Sequence, residues 1–424
     1  MQQLTQPSAN LEGYELSPQQ KHLWIVHQLT GAKTVQPYRV QAAISITGAI
    51  APAIFQATLQ DVIDRHEILR TTFQAVPGLD LPLQVIQKTP TEAIATLDWS
   101  HLSEPDQAVE LKNLWQQWQA QNLPLEQSLQ WCLIRQSPEK HCLLLSLSAL
   151  CGDAVTLKNL VQEIARLYAV RIEASSSAEE TLEEEPLQYA DLATWQNELL
   201  QENSATPNYW RKIEDTGLET LSLPVQPTER YAALQPEKLT WTVPEALVAQ
   251  MEHGAIANSL LTVWQVLLWR LTGQETLTLG VSLDGRNYEE LEPALGLLAR
   301  TLPLSSQLQP DLTFQQALKQ VQTARQEMAL HQDAFAWAQG LSIQDAGLET
   351  RVLPFAFEFI EQSDVWETAG IRYAIAQVET CTDYFWIKLC GIQQADGLTV
   401  ELHYNAAQFT AADMQRLFEE LQTL

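Results

Sequence analysis

The chain has 424 residues, 46% of them hydrophobic, and a formal charge of −27 from 52 acidic and 25 basic residues. This length suits about two to three ordinary domains, and the hydrophobic content predicts a folded protein rather than a disordered one. So negative a surface would repel nucleic acids and anionic membranes, which excludes both as partners. No segment reaches the roughly 20 apolar residues of a membrane span, and residues 1–10 lack a signal-peptide pattern. We therefore predict a cytoplasmic protein.

The five cysteines form neither a CxxC pair nor a cluster with histidine. Their odd number and apolar neighbours favour buried free thiols in a reducing compartment. The ligand spacing of a zinc site is absent, so we predict no bound metal. The cysteines are Cys132, Cys142, Cys151, Cys381 and Cys390.

The first part of the chain combines helical and strand patterns. Apolar residues recur at helical spacing over 53–69, and a β-prone segment follows at 71–73. Leucines alternate in the segment 142–147, which predicts a short buried strand. After a brief loop, apolar residues between Leu157 and Leu167 predict another amphipathic helix.

An acidic, serine-rich segment with few bulky apolar residues lies at 173–186. Such a composition is typical of a solvated linker. It divides the chain into an amino-terminal subdomain at 12–172 and a carboxy-terminal subdomain at 187–424. Because helices and strands are predicted in both parts, we expect two α/β subdomains.

The second part shows the same combination. A strongly apolar helix is predicted over 258–271 and ends at Gly273, and a strand follows at 277–283. Alternation over 398–404 predicts a half-exposed strand, and a final helix begins at Thr410 with an acidic residue placed for a capping box.

Several segments, in matching order and spacing, resemble the conserved motifs of the condensation domains of non-ribosomal peptide synthetases. The segment at 65–73 reads RHEILRTTF and matches the second motif of that family almost letter for letter. The resemblance covers nearly the whole chain. The other matching segments are 16–24 for the first motif, 189–195 for the fourth, 271–274 with 285–286 for the YTGQ…GR region, 331–333 for HQD and 404–405 for YN.

The resemblance implies an α/β fold (an α+β sandwich) built from two chloramphenicol-acetyltransferase-like subdomains, which form a V-shaped pseudodimer with a central tunnel. It also implies that carrier proteins dock at the tunnel mouths and send phosphopantetheine-tethered acyl groups inward, while the domain itself binds no cofactor. The family's active motif, HHxxxDG, follows a strand and precedes a helix. Its second histidine serves as base or positioning group, and its aspartate pairs with the arginine that opens the second motif.

In this chain the corresponding loop lacks both histidines. Ser148 and Ala149 occupy their positions, Asp153 keeps the aspartate, and Ala154 replaces the closing glycine. Alanine can neither take a proton nor hydrogen-bond through its side chain, and a positioned acid–base group contributes roughly 10²–10⁴ in rate. We therefore expect poor amide formation. By the same resemblance, Asp153 and Arg65 form a buried ion pair that braces the loop.

Other residues of the loop offer alternatives. Ser148, Asp153 and Thr156 give SxxxxDxxT, which resembles the DxxxxDxxS of heterocyclization domains but lacks its first acidic residue. Cys151 is a nucleophile only if its thiolate is stabilised, and a buried thiol is the simpler interpretation. Arg300 stands where the family carries VNT, and it either contacts an anion in the tunnel or bonds to nearby backbone.

Two hypotheses follow. In the first, the domain is inactive in amide-bond formation and docks a carrier protein or recruits a tailoring enzyme in trans, as an interface-type relative beside neighbouring synthetase domains. In the second, it is an active condensation- or cyclization-type transferase on phosphopantetheine-tethered substrates, with Ser148, Asp153 and Thr156 lining its site. The missing histidines favour the first.

Overall fold

The computed structural model describes residues 13–30, 37–88, 94–121, 129–173, 185–202, 208–216, 221, 223–225, 227, 232–251, 255–335, 337, 352–362, 365–394 and 397–424. Most of the predicted linker, residues 174–184, lies outside these ranges. None of the helices in the described ranges is long and apolar enough to cross a membrane.

The described strands form two six-stranded sheets and one two-stranded sheet. In chain order they are β1 (Arg39–Thr47), β2 (Thr71–Gln74), β3 (Leu83–Ile86), β4 (Ala95–Asp98), β5 (Leu129–Ser137), β6 (Lys140–Ser148), β7 (Pro236–Val243), β8 (Thr276–Leu283), β9 (Arg300–Gln307), β10 (Phe355–Gln362), β11 (Val365–Thr368), β12 (Ile371–Thr380), β13 (Ile387–Gln394) and β14 (Gly397–Asn405). The first sheet has the order β11-β12-β1-β6-β5-β4, and the second has the order β7-β14-β13-β10-β8-β9. The expected α/β fold with two sheet-and-helix halves is confirmed.

The helices pack on these sheets. In chain order they are α1 (Pro18–Thr30), α2 (Pro52–Arg65), α3 (Glu104–Ala120), α4 (Ala154–Glu173), α5 (Tyr189–Glu202), α6 (Asn208–Thr216), α7 (Glu245–Val248), α8 (Ile256–Thr272), α9 (Phe314–Leu330) and α10 (Ala411–Thr423). Alternate leucines of β6 pack into the main core, as the sequence pattern predicts, while Leu144 packs with Trp115 and Trp118 of α3 on the other face. Strand β6 is therefore held from both sides up to its last residue.

Three predicted helix boundaries can be compared with the structure. The helix predicted over 53–69 ends earlier, at Arg65, because His66 has extended backbone angles and a short 3-10 turn, Glu67–Arg70, follows. Gly273 ends α8 in the left-handed conformation, with φ 67°. The side chain of Thr410 accepts a hydrogen bond from the backbone of Asp413 at the start of α10. The last two boundaries agree with the sequence patterns.

A hairpin from the second half of the chain completes the sheet of the first half. Strand β12 pairs antiparallel with β1, and β11 pairs with β12 at the sheet edge. The subdomain predicted at 187–424 thus contributes two strands to the sheet of the subdomain predicted at 12–172, a crossing that the sequence patterns did not indicate.

Candidate functional site

The loop at 148–154 joins the end of β6 to the start of α4, as the resemblance implies. Its first turn is closed by a backbone hydrogen bond from Cys151 to the Ser148 carbonyl, 2.8 Å long. The Ser148 hydroxyl accepts a hydrogen bond of 3.3 Å from the Leu150 amide, and the Ala149 amide donates one of 3.2 Å to the Tyr38 carbonyl. All these loop residues are buried. Backbone hydrogen bonds within the loop and to Tyr38 therefore fix the segment 148–151.

Asp153 is bound on all sides. Arg286, from the second half, donates two hydrogen bonds of 2.9 and 3.0 Å to its carboxylate, and the side chains are only 1% and 2% exposed, Asp153 being the lower. The backbone amides of Leu298 and Ala299 donate two more, at 3.0 and 2.9 Å. Burial alone would raise the pKa of Asp153, but the charge and hydrogen bonds of Arg286 hold that pKa below its ordinary value. Asp153 is therefore an ionised anchor that joins the two halves.

The predicted ion pair between Asp153 and Arg65 is wrong. Arg65, the last residue of α2, instead donates to Glu163 at 3.1 Å. Glu163 lies ten residues after Asp153, which is about 15 Å further along α4, so an arginine at the end of α2 reaches the middle of α4 and not its first turn. The partner of Asp153 comes from the segment 285–286, which the sequence singled out as a motif without assigning it a contact.

Thr156 is locked beside Asp153. Its hydroxyl lies 2.8 Å from the Asp153 carboxylate and 2.8 Å from the Gly296 carbonyl, and it accepts a hydrogen bond of 3.1 Å from the Gly296 amide. Ser148 makes no hydrogen bond with either Asp153 or Thr156 within the described part of the chain. The structure thus brings together two residues of the SxxxxDxxT pattern and leaves the serine apart.

Cys151 is completely buried, and burial raises the pKa of its thiol far above the ordinary value. A neutral thiol is a poor nucleophile. All five cysteines are free and buried, in agreement with the sequence analysis.

Arg300 begins β9 and is paired inside the second half. It donates to the Gln332 carbonyl at 2.7 Å and forms an ion pair of 3.3 Å with Asp333. The sequence analysis considered an anion contact or a backbone hydrogen bond for Arg300. The structure has the backbone hydrogen bond, together with an ion pair to Asp333 of the HQD segment. Burial lowers the pKa of Arg300. The linings of the two cavities described below do not include it.

The loop that carries the amides of Leu298 and Ala299 is positioned by contacts that the sequence analysis missed. Gly296 has φ 132°, and a Cβ atom there would lie 2.0 Å from the ring of Tyr189. The Tyr189 hydroxyl donates to the Leu297 carbonyl at 2.6 Å and lies 2.8 Å from the Ser17 hydroxyl. Tyr189 belongs to the segment that resembles the fourth motif, and this position was the one sequence signal of its importance. Its partners, Leu297 and Ser17, are remote in sequence and could not be predicted.

Two cavities lie between the halves. The larger, about 820 Å³, is bordered by Asp153, Ala154, Arg286 and Arg325, and the smaller, about 520 Å³, by residues of both halves that include Arg39 and His403. Neither lining includes Ser148 or Ala149.

Comparison with known proteins places the chain in a family. The sequence profile described as Condensation domain matches residues 10–424. A linear gramicidin synthase of Brevibacillus parabrevis is 30% identical over 424 residues, which cover 95% of this chain. Bacitracin synthase 1 of Bacillus licheniformis is 24% identical over 424 residues, which cover 97% of this chain. In both cases the match spans 8% of the relative, so the chain corresponds to a small part of these proteins.

Solved structures share the fold. SgcC5 from Streptomyces globisporus has a TM-score of 0.78 at 19% identity, covering 96% of this chain and 97% of that one. The starter condensation domain of rhizomide synthetase, solved with C8-CoA and Leu-SNAC, has a TM-score of 0.77 at 19% identity, covering 97% and 94%. The X-domain from teicoplanin biosynthesis, solved in complex with OxyB, has a TM-score of 0.72 at 20% identity, covering 99% and 93%.

Both sheets and the 148–154 loop lie within the match to the family profile, and the chain belongs to the condensation-domain family of non-ribosomal peptide synthetases.

Proposed function

We propose that this domain serves an assembly line as a docking module and does not form amide bonds. It docks a carrier protein or recruits a tailoring enzyme, in the cytoplasm and beside other synthetase domains, and the substrate is the group held on the carrier's phosphopantetheine arm. The observation that carries the proposal is Ala149. At the loop position where the resemblance places the family's second histidine, this chain has a fully buried methyl group, which can neither accept nor donate a proton.

The neighbouring side chains do not supply the missing group. Asp153 already accepts hydrogen bonds from Arg286 and two backbone amides. Removing such a carboxylate from its partners would leave a buried arginine uncompensated, which is costly. The hydroxyl of Thr156 is held between Asp153 and Gly296. These contacts argue against the alternative of a transferase that uses Ser148, Asp153 and Thr156.

A recruitment role is supported by one of the structural neighbours. The X-domain from teicoplanin biosynthesis was solved as a complex with another protein, OxyB. That protein therefore presents the condensation fold as a binding surface. We infer from this similarity in fold that our chain also recruits a tailoring enzyme.

The larger cavity supports docking of a carrier arm. It lies beside Asp153 and Ala154, and its lining includes the cationic side chains of Lys158 and Arg325. The Nε atom of Arg325 is buried without a hydrogen-bond partner among the described residues. That nitrogen is closed off from solvent, and the carboxylates of Asp284, Glu292 and Glu358 also border the cavity. The support for docking is therefore the cavity volume, which lies within the roughly 300–1,000 Å³ typical of ligand pockets.

The test uses donor and acceptor carrier proteins loaded with aminoacyl groups. The domain is incubated with both, and the carrier-bound products are identified by mass spectrometry, with an active condensation domain as the control for carrier competence. We expect no dipeptidyl product above the uncatalysed rate. Binding of a carrier or tailoring enzyme, measured in parallel by calorimetry, is expected to persist.

Rapid condensation by this domain would contradict the proposal. In that case loss of the product in the Ser148→Ala or Thr156→Val variant would establish the alternative transferase, and retention of the product would direct attention to other residues of the domain.

A further inference from the structure

The face of the second sheet that points away from its helices carries charged residues. In the ladder of β14 with its neighbours, His403 lies opposite Lys388 of β13 and opposite Lys238 of β7, and Glu401 lies two residues before His403. Lys388, Glu401 and His403 are buried. Burying charged groups is unfavourable unless they are paired, so the arrangement needs an explanation.

Ion pairs satisfy the two lysines. Lys388 lies 2.5 Å from Glu358, and Lys238 lies 2.9 Å from Glu401 and 3.6 Å from Glu379 of the crossing strand. Burial alone would lower the pKa of Lys388, but the charge of Glu358 raises that pKa above its ordinary value. Both lysines therefore remain cationic, and each is paired with at least one glutamate.

His403 is paired through one of its two ring nitrogens. Its Nε2 atom lies 2.8 Å from a carboxylate oxygen of Glu401. Burial alone would raise the pKa of Glu401, but the hydrogen bond and charge of His403, together with Lys238, lower it to about 2. An ionised carboxylate only accepts hydrogen bonds, so Nε2 carries a proton. In neutral His403 the lone pair is therefore on Nδ1, which has no hydrogen-bond partner among the described residues.

The free nitrogen belongs to a side chain that borders a cavity. His403 lines the 520 Å³ cavity together with Arg39, Thr380 and Phe385, so both halves contribute to the wall. The imidazole meets the Phe385 ring edge-on, with centroids 6.4 Å apart. Its orientation is thus fixed by a carboxylate on one side and an aromatic ring on another, as in bases that a third group orients.

We propose that His403, oriented by Glu401, is the general base of a second reaction centre that hydrolyses acyl thioesters in this cavity. The substrate class is an acyl or aminoacyl thioester of a phosphopantetheine-type arm. The proposal rests on the proposed function only for delivery of such thioesters by a docked carrier protein.

The reaction requires only water. As the water oxygen bonds to the thioester carbonyl carbon, Nδ1 of His403 takes one of its protons. Collapse of the tetrahedral intermediate breaks the carbon–sulfur bond, and the imidazolium returns the proton to the leaving sulfur. The products are a free carboxylic acid and a free thiol, with no net oxidation. Such an activity would clear acyl groups from stalled carriers.

Charged groups from several strands surround His403. Lys238 and Lys388 flank it in the sheet, and Glu401 contacts it directly. The other charged groups that face this region are Glu358 from β10, Glu379 from β12, and Arg39 and Glu237 of the cavity wall.

The experiment measures thiol release from the N-acetylcysteamine thioester of a short acyl group, with no carrier protein present. Wild-type domain is compared with the His403→Ala, His403→Gln and Glu401→Gln variants, and with His141→Gln as a matched control, because His141 is a buried histidine that lines neither cavity. We expect release above the uncatalysed rate, a loss of about 10²–10⁴-fold in His403→Ala, and no loss in His141→Gln.

Two results would overturn the proposal: wild-type domain that releases no thiol beyond the buffer rate, or a folded His403→Ala or His403→Gln variant that keeps the wild-type rate. If the His403 variants unfold, Glu401→Gln decides, since a folded Glu401→Gln variant that keeps the wild-type rate would show that the carboxylate-oriented imidazole is not needed. Because the probe needs no carrier, failure here leaves carrier docking intact, and failure of carrier binding leaves this assay interpretable.

Discussion

Asp153 and Arg286 connect the two halves through two parallel hydrogen bonds in an environment from which water is almost excluded. The aspartate lies just before α4, and the arginine follows β8. This pair fixes the position of the 148–154 loop relative to the second sheet. Asp153 occupies a position of the catalytic motif, but its contacts give it a structural role.

Removing one member of this pair should be strongly destabilising. We expect Asp153→Ala to lower the free energy of unfolding by about 3–5 kcal/mol, because Arg286 would remain buried without its counter-charge. Urea denaturation followed by tryptophan fluorescence measures the change. The matched control is Asp98→Ala, since Asp98 is exposed and its contacts, an ion pair with Arg135 and hydrogen bonds from Ser100, lie at the surface, and we expect it to cost far less than Asp153→Ala. Equal effects of the two substitutions would refute the role assigned to Asp153.

Glu163 should make stability depend on acid pH. Burial alone would raise its pKa, but His66, 3.7 Å away, and the guanidinium of Arg166 lower the pKa to about 2. A lowered carboxyl pKa gives stability that is fully present above the unfolded pKa, about 4.3, and is lost as pH falls through the folded value. Denaturation at several pH values should show a steeper fall between pH 4.5 and 2 for wild-type protein than for Glu163→Gln. Parallel curves would contradict this.

Gly296 should tolerate no side chain. Its φ of 132° is strained for other residues, and a Cβ atom would lie 2.0 Å from the Tyr189 ring. We expect Gly296→Ala to lower the melting temperature and to weaken the contacts of the adjoining Leu298 and Ala299 amides. Gly397→Ala is the control, because a Cβ atom there meets nothing within 4 Å. A Gly296→Ala protein that melts like the control would show that the loop can move away from Tyr189.

Restoring two histidines should not restore amide formation. In the Ser148→His/Ala149→His variant, the second imidazole enters a position where the present side chain is fully buried, and overpacking of this kind costs about 1–3 kcal/mol. Arg300, at the segment where the resembled family carries VNT, would still be paired with Asp333. Mass spectrometry of loaded carriers should detect no dipeptidyl product. Appearance of that product would mean that the histidines alone separate this domain from its active relatives.

Local patterns and motif order were enough to predict the sheet-and-helix halves and the strand–loop–helix position of Asp153. The alternation of leucines in β6 and the glycine that ends α8 are properties of neighbouring residues, so the sequence displays them directly. The partner of Asp153 is not such a property. Arg286 lies 133 residues away, and the resemblance supplied the wrong arginine because it specified a motif rather than a distance.

The crossing hairpin was unpredictable for a related reason. Strand periodicity indicates which face of a strand is buried, but it does not indicate which sheet the strand joins. The charged face of the second sheet around His403 was also not predicted. Lys238, Lys388 and His403 are neighbours only across the ladder of β7, β14 and β13.

The pairing of β12 with β1 has a consequence for any attempt to divide the chain. A fragment that stops before residue 365 lacks β12, which pairs with β1, and β11, which pairs with β12, so one side of β1 would present unpaired amides and carbonyls. Such an edge is a template for intermolecular strand addition, and the separated first half should precipitate or associate with itself. Co-expression with the remaining fragment would donate the absent strand, so the two pieces would behave as a complementing pair rather than as independent modules.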